Sequence, residues 1–257
     1  MIPPADPDDL AFAVEVATDA GAVTLEHFRS TGLRVDRKDD GTPVTAADLA
    51  AERLVRRRLA HDHPTDGIIG EEHGDHDGAT DRTWVVDPID GTKAFARGVP
   101  LYATLIALVD QHGPAIGVIH LPALGETIAA ARGHGATSNG TPCRVSDHDT
   151  LEGAYAMTSG FSYWPGDSLR RVLESPISLR TWGDAYGYAL VATGRADAMI
   201  DPLANPWDVA PMAVIIPEAG GVFTGVDGAV EPTAWRAGSG MATNGRIHDQ
   251  LAAVIDG

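Results

Sequence analysis

A chain of 257 residues with 44% hydrophobic and 21% charged content can bury one large core or two closely joined halves, as globular enzyme-sized proteins do. No run approaches the roughly 20 apolar residues of a membrane span, and Pro3, Pro4 and acids up to Glu15 stand where a basic, apolar leader would, so neither membrane insertion nor secretion is expected. The single cysteine, Cys143, excludes an internal disulfide and a multi-cysteine zinc site and fits a reducing cytoplasm, and the net charge of −17 argues against nucleic acid as the main partner.

Asp6-Pro7 reads as a cap followed by a first-turn proline, and Leu10, Val14, Ala17, Gly21, Leu25 and Phe28 then recur at helical spacing, which predicts an amphipathic helix over 8–29. Two short extended arms, 33–37 and 42–44, flank the tight-turn signal Asp39-Asp40-Gly41, with Lys38 near its tip. Thr45 through Asp48 matches a capping box that opens a second helix over about 45–60. His61, His63, His73 and His76 surround a turn-rich polar segment and read as solvated loop histidines, not as a zinc site.

Residues 83–86 have the β-branched and aromatic content of a buried strand, and Pro88 and Gly91 then stop it. Asp87 and Asp90 therefore fall at a strand's carboxyl end, where ligands of α/β folds collect. Two carboxylates converging in a partly dry place repel unless cations sit between them, and hard oxygen donors suit Mg²⁺.

Strands are predicted over 102–109, 115–121 and 127–131, and a glycine-punctuated hairpin ends at Pro142-Cys143. No strand, glycine loop and Lys-Ser/Thr combination of a nucleotide-binding loop occurs. The polar run from Ser146 to Asp149 marks a boundary between halves 1–148 and 149–257. Beyond it, strands at 154–158, 178–182 and 197–201 alternate with helices near 167–174, 184–194 and from Pro206, which implies an α/β arrangement. Pro211 and Pro217 make the helix that carries Asp208 short or kinked. Closing strands at 222–223 and 241–243 and a helix over 247–255 complete the chain.

Gly70-Glu71-Glu72, the run from Trp84 to Thr92, Pro206-Trp207-Asp208 and Glu218-Ala219-Gly220-Gly221, in this order and at these distances, resemble the inositol monophosphatase superfamily of Mg²⁺-dependent, lithium-sensitive phosphatases. The resemblance covers nearly the whole chain. It implies an α+β layered sandwich and a homodimer, with Glu71, Asp87, Asp90, Asp208 and the Ile89 backbone carbonyl holding two or three Mg²⁺ ions. Glu71 and Thr92, the latter held by Asp48, would orient the attacking water, and the Gly91 and Thr92 amides would receive the phosphate. For Lys38 two readings stand side by side: a solvated loop charge, or the lysine of a flap that approaches the metal site. Enzymes of the haloacid-dehalogenase type place their second aspartate two positions after the first, whereas Asp87 and Asp90 are three apart, so no phosphoenzyme is expected.

Inositol-cleaving members read Gly-Thr-Thr-Asn-Phe after the metal turn, but this chain reads Gly91-Thr92-Lys93-Ala94-Phe95, followed by Arg97-Gly98-Val99-Pro100. That departure resembles the histidinol-phosphate phosphatase branch. Where the family has Gly-Thr/Ser-Ala, this chain has Gly183-Asp184-Ala185. Asp184 reads either as a helix cap or as a counter-charge for a substrate ammonium, which histidinol phosphate carries and inositol phosphate lacks. Asp201 matches the family's acidic substrate contact, Asp208 also borders the substrate, and Asn205 and Trp182 are further candidates. The expected partner is thus a small phosphate ester. The alternatives are inositol monophosphate, fructose bisphosphate or a 3′-phosphoadenosine nucleotide as substrate, or a regulatory role through protein contacts.

Overall fold

The structure is a computed structural model that describes residues 2–38, 41–230 and 232–257. Helix α1 (Pro7–His27) starts as its sequence requires: the Asp6 side chain accepts from the Asp8 amide and Pro7 occupies the first turn. Its buried stripe differs from the expected one, being Ala13, Val16, Ala17, Ala20, Gly21 and Thr24, while Leu25 is exposed. The small side chains allow close approach to the sheet: a Cβ on Gly21 would lie 2.4 Å from the His120 ring. Strands β1 (Val35–Arg37) and β2 (Pro43–Thr45) form the expected two-armed hairpin. Asp39 and Asp40 of its turn signal lie outside the described residues; Gly41, at φ +83°, returns its amide to the Lys38 carbonyl. Helix α2 (Ala46–Asp62) opens on the capping box between Thr45 and Asp48.

Helices α1 and α2 cover one face of a seven-stranded sheet in the order β3-β4-β5-β6-β7-β8-β9, namely Gly67–Gly70, Thr83–Asp90, Ala103–Asp110, Gly113–Leu121, Glu126–Ala131, Ala136–Ser138 and Thr141–Pro142. The two-residue period sends Trp84, Val86, Ile106 and Val118 to this face and Val85, Leu105 and Ile119 to the other. Pro88 does not end β4 as expected. The ladder with β5 shifts register between Asp87 and Asp90 and resumes at Asp90 opposite Ala103, a bulge that absorbs the proline's missing donor. Gly91 then turns the chain at φ +80° into the short helix α3 (Thr92–Phe95).

The other sheet runs β11-β10-β12-β14-β13, formed by Ser178–Arg180, Tyr155–Met157, Ala198–Asp201, Gly240–Thr243 and Val222–Thr224. Helices α5 (Asp184–Ala192) and α7 (Met212–Glu218) lie between the two sheets, and α4 (Ser168–Glu174) and α8 (His248–Asp256) cover the far side. Helix and sheet layers thus alternate through the molecule, as the α+β sandwich reading requires. One apolar cluster draws Val85 and Leu105 from the first sheet, Tyr188 and Ile215 from the helices and Met199 from the second sheet, so the halves share a core. Pro211 separates α6 (Pro206–Val209) from α7, which accounts for the short helix at Asp208, and a Cβ on Gly117 would sit 2.4 Å from the Pro211 carbonyl oxygen.

His63 is not a solvated loop histidine: its ring packs 4.6 Å from Phe12 and 5.0 Å from Trp84. His73 lies 3.5 Å from the buried Glu52 carboxylate. Neither joins a metal-ligating cluster among the described residues.

Candidate metal centre and active site

Strands β3 and β4 run parallel, as do β10 and β12 in the other sheet, and their carboxyl ends deliver the acids to one place. Asp87, Asp90 and Asp208 each offer a carboxylate oxygen within 4.8 Å of the others. Among the described residues this is the one group of its kind. Asp87 is held by its own turn, its Oδ1 accepting from the Ile89 amide at 2.9 Å. Asp90 Oδ2 accepts from the Ala185 amide at 2.5 Å, which joins the metal turn to the start of α5. Asp208 Oδ2 accepts from the Asn205 amide at 2.7 Å.

Burial drives the Asp87 and Asp90 carboxyls well above the usual carboxylate range, and the charges of neighbouring acids push them further: Glu71 and Asp90 act on Asp87, Asp184 and Asp208 on Asp90. Burial likewise pushes Asp208 up to about 7, with the Asn205 amide pulling it back. An all-oxygen set that is buried, convergent and electrostatically starved of cations has the donor chemistry of a hard divalent ion.

Glu71 follows β3 and presses its charge on both Asp87 and Asp208, but it lies outside the tight triad. Its Oε1 instead accepts from Lys38 Nζ at 2.7 Å, and Lys38 reaches Glu72 Oε1 at the same distance. Lys38 is thus not a fully solvated loop charge, since its side chain is largely buried against the two glutamates. Burial alone would lower the Lys38 pKa, but its bonds and charge contacts with the two glutamates outweigh that and raise it. Burial pushes Glu72 up to about 7.

Asp48 serves two sites at once, as the sequence reading allowed. Its Oδ2 accepts from the Thr45 amide at 2.8 Å and from the Thr45 hydroxyl at 2.5 Å, which caps α2, while Oδ1 faces Thr92 Oγ1 at 3.5 Å. The Thr92 hydroxyl lies closer to the Ile89 carbonyl, at 3.0 Å.

Two residues that sequence reasoning missed hold the site together. Glu52, fully buried one turn after Asp48, accepts from the Glu72 amide at 2.7 Å and the His73 amide at 3.1 Å, and Arg56 Nε binds it at 2.7 Å. It hangs the loop that bears Glu71 on α2. An acid on the apolar face of a helix was the available signal. Ser159, just past β10, gives its hydroxyl to Asp201 at 2.5 Å and accepts from the Asp184 amide at 2.8 Å. Only its place at a strand's carboxyl end could have flagged it.

Asp184 does not cap α5. Gly183 is the cap residue, no side chain caps the helix, and Asp184 itself stands at φ +52°, a left-handed conformation that a non-glycine residue adopts at a cost of about 1–2 kcal/mol. A Cβ on Gly91 would meet Asp184 Oδ2 at 3.2 Å, so the carboxylate hangs over the metal turn. Burial raises the Asp184 pKa, opposed by Ser159 and by the charge of Lys93. Asp201 is buried, engaged by Ser159 and pushed up to about 7. Behind it the buried Tyr188 hydroxyl faces the Asp201 carboxylate, and burial, with that neighbouring charge, raises its pKa well above the usual range. Asn205 spends its amide groups on Asp208, and Trp182 is exposed.

The chain matches the inositol monophosphatase family over residues 6–256 and belongs to it. It is 41% identical to the histidinol-phosphatase of Mycobacterium tuberculosis, over 97% of this chain and 98% of that protein. It is 33% identical to the fructose-1,6-bisphosphatase/inositol-1-monophosphatase of Thermotoga maritima, over 97% of this chain and 96% of that one. The crystal structure of extragenic suppressor protein suhB from Bartonella henselae superposes with a TM-score of 0.89 at 32% identity, over 96% of this chain and 98% of that one.

Proposed function

We propose that this phosphatase hydrolyses L-histidinol phosphate to L-histidinol and phosphate, with two or three Mg²⁺ ions, as a cytoplasmic homodimer. The observation that carries the reaction class is the convergence of Asp87, Asp90 and Asp208 within 4.8 Å, the first two buried and Asp208 half-buried. Glu71, Asp87, Asp90, Asp208 and the Ile89 carbonyl would hold the ions, at the seam between halves 1–148 and 149–257. When bound, Mg²⁺ supplies Lewis acidity and positive charge to an in-line phosphoryl transfer. The chain's own groups do the rest. Asp48 Oδ1 would accept a hydrogen bond from the Thr92 hydroxyl, leaving the Thr92 oxygen to accept from the attacking water, which Glu71 would orient from the other side. The Gly91 and Thr92 amides receive the phosphate. Lys38, paired with Glu71 and Glu72, ties the flap hairpin to the loop that bears Glu71.

The substrate reading rests on Asp184 and on the likeness to histidinol-phosphatases. Asp184 is a strained, partly desolvated carboxylate beside the phosphate turn, and a primary ammonium is the group that would repay its burial. Asp201 binds Ser159 through Oδ1 and also faces the Tyr188 hydroxyl, so it has room for a single substrate contact at most. Inositol monophosphate and fructose bisphosphate are the alternatives, supported by the Thermotoga relative. A non-catalytic role gains support from the suhB likeness, but the complete acid set favours catalysis.

The test is phosphate release from histidinol phosphate, inositol monophosphate and fructose bisphosphate with Mg²⁺, repeated with EDTA and with Li⁺. Turnover of histidinol phosphate above the others, loss in EDTA and inhibition by Li⁺ are expected. Full activity in EDTA, or a trapped phosphoenzyme at Asp87, refutes the mechanism.

A further inference from the structure

A protein with 36 acidic and 19 basic side chains must still draw in a phosphate dianion. Beside the metal turn lies a cavity of about 1040 Å³ whose wall includes Arg37 and Pro43 from the flap hairpin, Lys93 and Arg97 from the segment just after Thr92, and Tyr163 from the second half. The three cations meet only neutral acceptors. Arg37 Nη1 binds the Gly41 carbonyl at 2.8 Å, Lys93 Nζ the Tyr163 hydroxyl at 2.7 Å, and Arg97 Nη1 the Lys93 carbonyl at 3.2 Å.

Among the described residues no carboxylate lies within ion-pair distance of any of the three, whereas Arg58, Arg82, Arg132 and Arg195 each bind at least one acid. In a chain this acidic, three cations on one wall with no acid bound to them among the described residues make that wall locally positive. The wall is also continuous with the site. Lys93 follows Thr92 directly, and its charge is felt at Asp184, which overhangs Gly91.

We infer that the cavity lined by Arg37, Lys93 and Arg97 is a capture site for the phosphate dianion, from which the ester passes to the Gly91-Thr92 turn. The inference deepens the phosphomonoesterase reading and rests on it for the identity of the cargo. A cavity whose walls focus one sign of potential raises the local concentration of the opposite ion and the rate of productive encounter, by about 10–10³-fold in steered systems. The cations belong to approach and not to chemistry, because none of them reaches the acid triad. Lys93 has the further task of holding Tyr163, with its ammonium 5.3 Å from the ring centre, so the wall is shaped by both halves of the chain.

The experiment compares wild type with the triple variant Arg37→Gln/Lys93→Gln/Arg97→Gln in the presence of Mg²⁺. A control triple, Arg144→Gln/Arg170→Gln/Arg246→Gln, removes the same charge outside the cavity. One arm follows kcat and kcat/KM for a phosphomonoester from about 0.01 to about 0.15 M salt, a span in which the screening length falls from about 30 to about 8 Å. The other measures binding of inorganic phosphate by calorimetry. The cavity triple is expected to lose about tenfold in kcat/KM at low salt, with kcat held within about twofold, a flattened salt dependence and weaker phosphate binding. The control triple should resemble wild type. Unchanged kcat/KM, salt slope and phosphate binding in the cavity triple, with an active wild type, overturn the inference. A wild type that hydrolyses no ester but loses phosphate binding in the cavity triple alone would instead sink the phosphatase reading and leave the capture site standing.

Discussion

The two ends of β4 treat buried carboxylates in opposite ways. At the amino end Asp66 is surrounded by donors: Arg82 Nε at 2.9 Å, Trp84 Nε1 at 3.1 Å and Thr80 Oγ1 at 2.8 Å, while Arg82 forks onto Asp9 at 2.8 and 2.9 Å. Burial by itself would raise the Asp66 pKa, but these bonds hold it below the usual range. At the carboxyl end Asp87 and Asp90 are buried beside other acids, with no arginine or lysine bound to either among the described residues, and their carboxyls are driven up. One end spends charge on structure. The other accumulates unbalanced negative charge at a cost in stability that a bound cation recovers.

Removing one charge at each end should therefore give opposite results. Asp90→Asn is expected to lower kcat/KM by about 10²–10³-fold, the scale of losing one electrostatic group in the transition state. Its thermal stability without Mg²⁺ should be no lower than that of wild type, because repulsion is relieved. Asp66→Asn should retain activity but lose about 1–3 kcal/mol of stability, since Arg82 or Trp84 is left without its acceptor. A parallel loss of stability in both variants, seen by calorimetry, would erase the distinction between the two ends.

Asp184 sharpens the comparison by asking whether the excess charge extends to the substrate. Asp184→Asn keeps a residue that tolerates the left-handed backbone and removes the charge alone, whereas a β-branched threonine would strain at φ +52°. The variant should lose about 30-fold in kcat/KM for histidinol phosphate, about 2 kcal/mol at ~1.4 kcal/mol per decade. Inositol monophosphate should be turned over as before. An unchanged ratio between the two substrates would leave the substrate assignment to likeness alone.

The acidic cluster was legible because turn chemistry and order along the chain suffice to find its members: Asp87, Asp90 and Asp208 converge, while Glu71 stands beside them. What stayed hidden depends on the third dimension. The bulge that carries β4 past Pro88 needs β5 as partner, and the strain at Asp184 needs the Ser159 contact. The alanine-rich stripe of α1 shows its purpose only against His120. Glu52 was invisible as a positioning residue because its partners are backbone amides, which carry no sequence signature. Glu52→Gln offers an amide nitrogen where Arg56 and two N–H groups need acceptors. It should weaken Mg²⁺ binding by about tenfold, the effect of losing an outer support of a ligand. Calorimetric titration of Mg²⁺ reads this directly, and unaltered affinity would make Glu52 a fold residue only.

The smallest expected effect is a pH dependence greatest in the metal-free protein. Burial raises Glu72, Asp201 and Asp208 to about 7 in the folded state, against about 3.9–4.3 for these side chains unfolded. Between those limits the folded protein binds more protons than the unfolded one, so stability must fall as pH rises through the window and level off above the folded values. His120 and His248 act in the opposite sense, since burial lowers both, and they offset part of this change below about pH 7.5, where an unfolded histidine begins to take up its proton. Across the interval from about pH 6.5 to 8 the acids outweigh this histidine offset. The metal-free protein should be about 1–2 kcal/mol more stable at pH 6.5 than at pH 8, with Tm higher by about 2–4 °C per kcal/mol. Saturating Mg²⁺ would keep Asp87, Asp90 and Asp208 ionised at both pH values and should remove their part of the difference, leaving that of Glu72 and Asp201. Asp66 lies below its usual range and stays ionised throughout this interval, so Asp66→Asn should shift both Tm values together and leave the slope intact. A slope that Mg²⁺ leaves wholly unaltered, or one that disappears with Asp66, would place the uncompensated charge at the wrong end of β4.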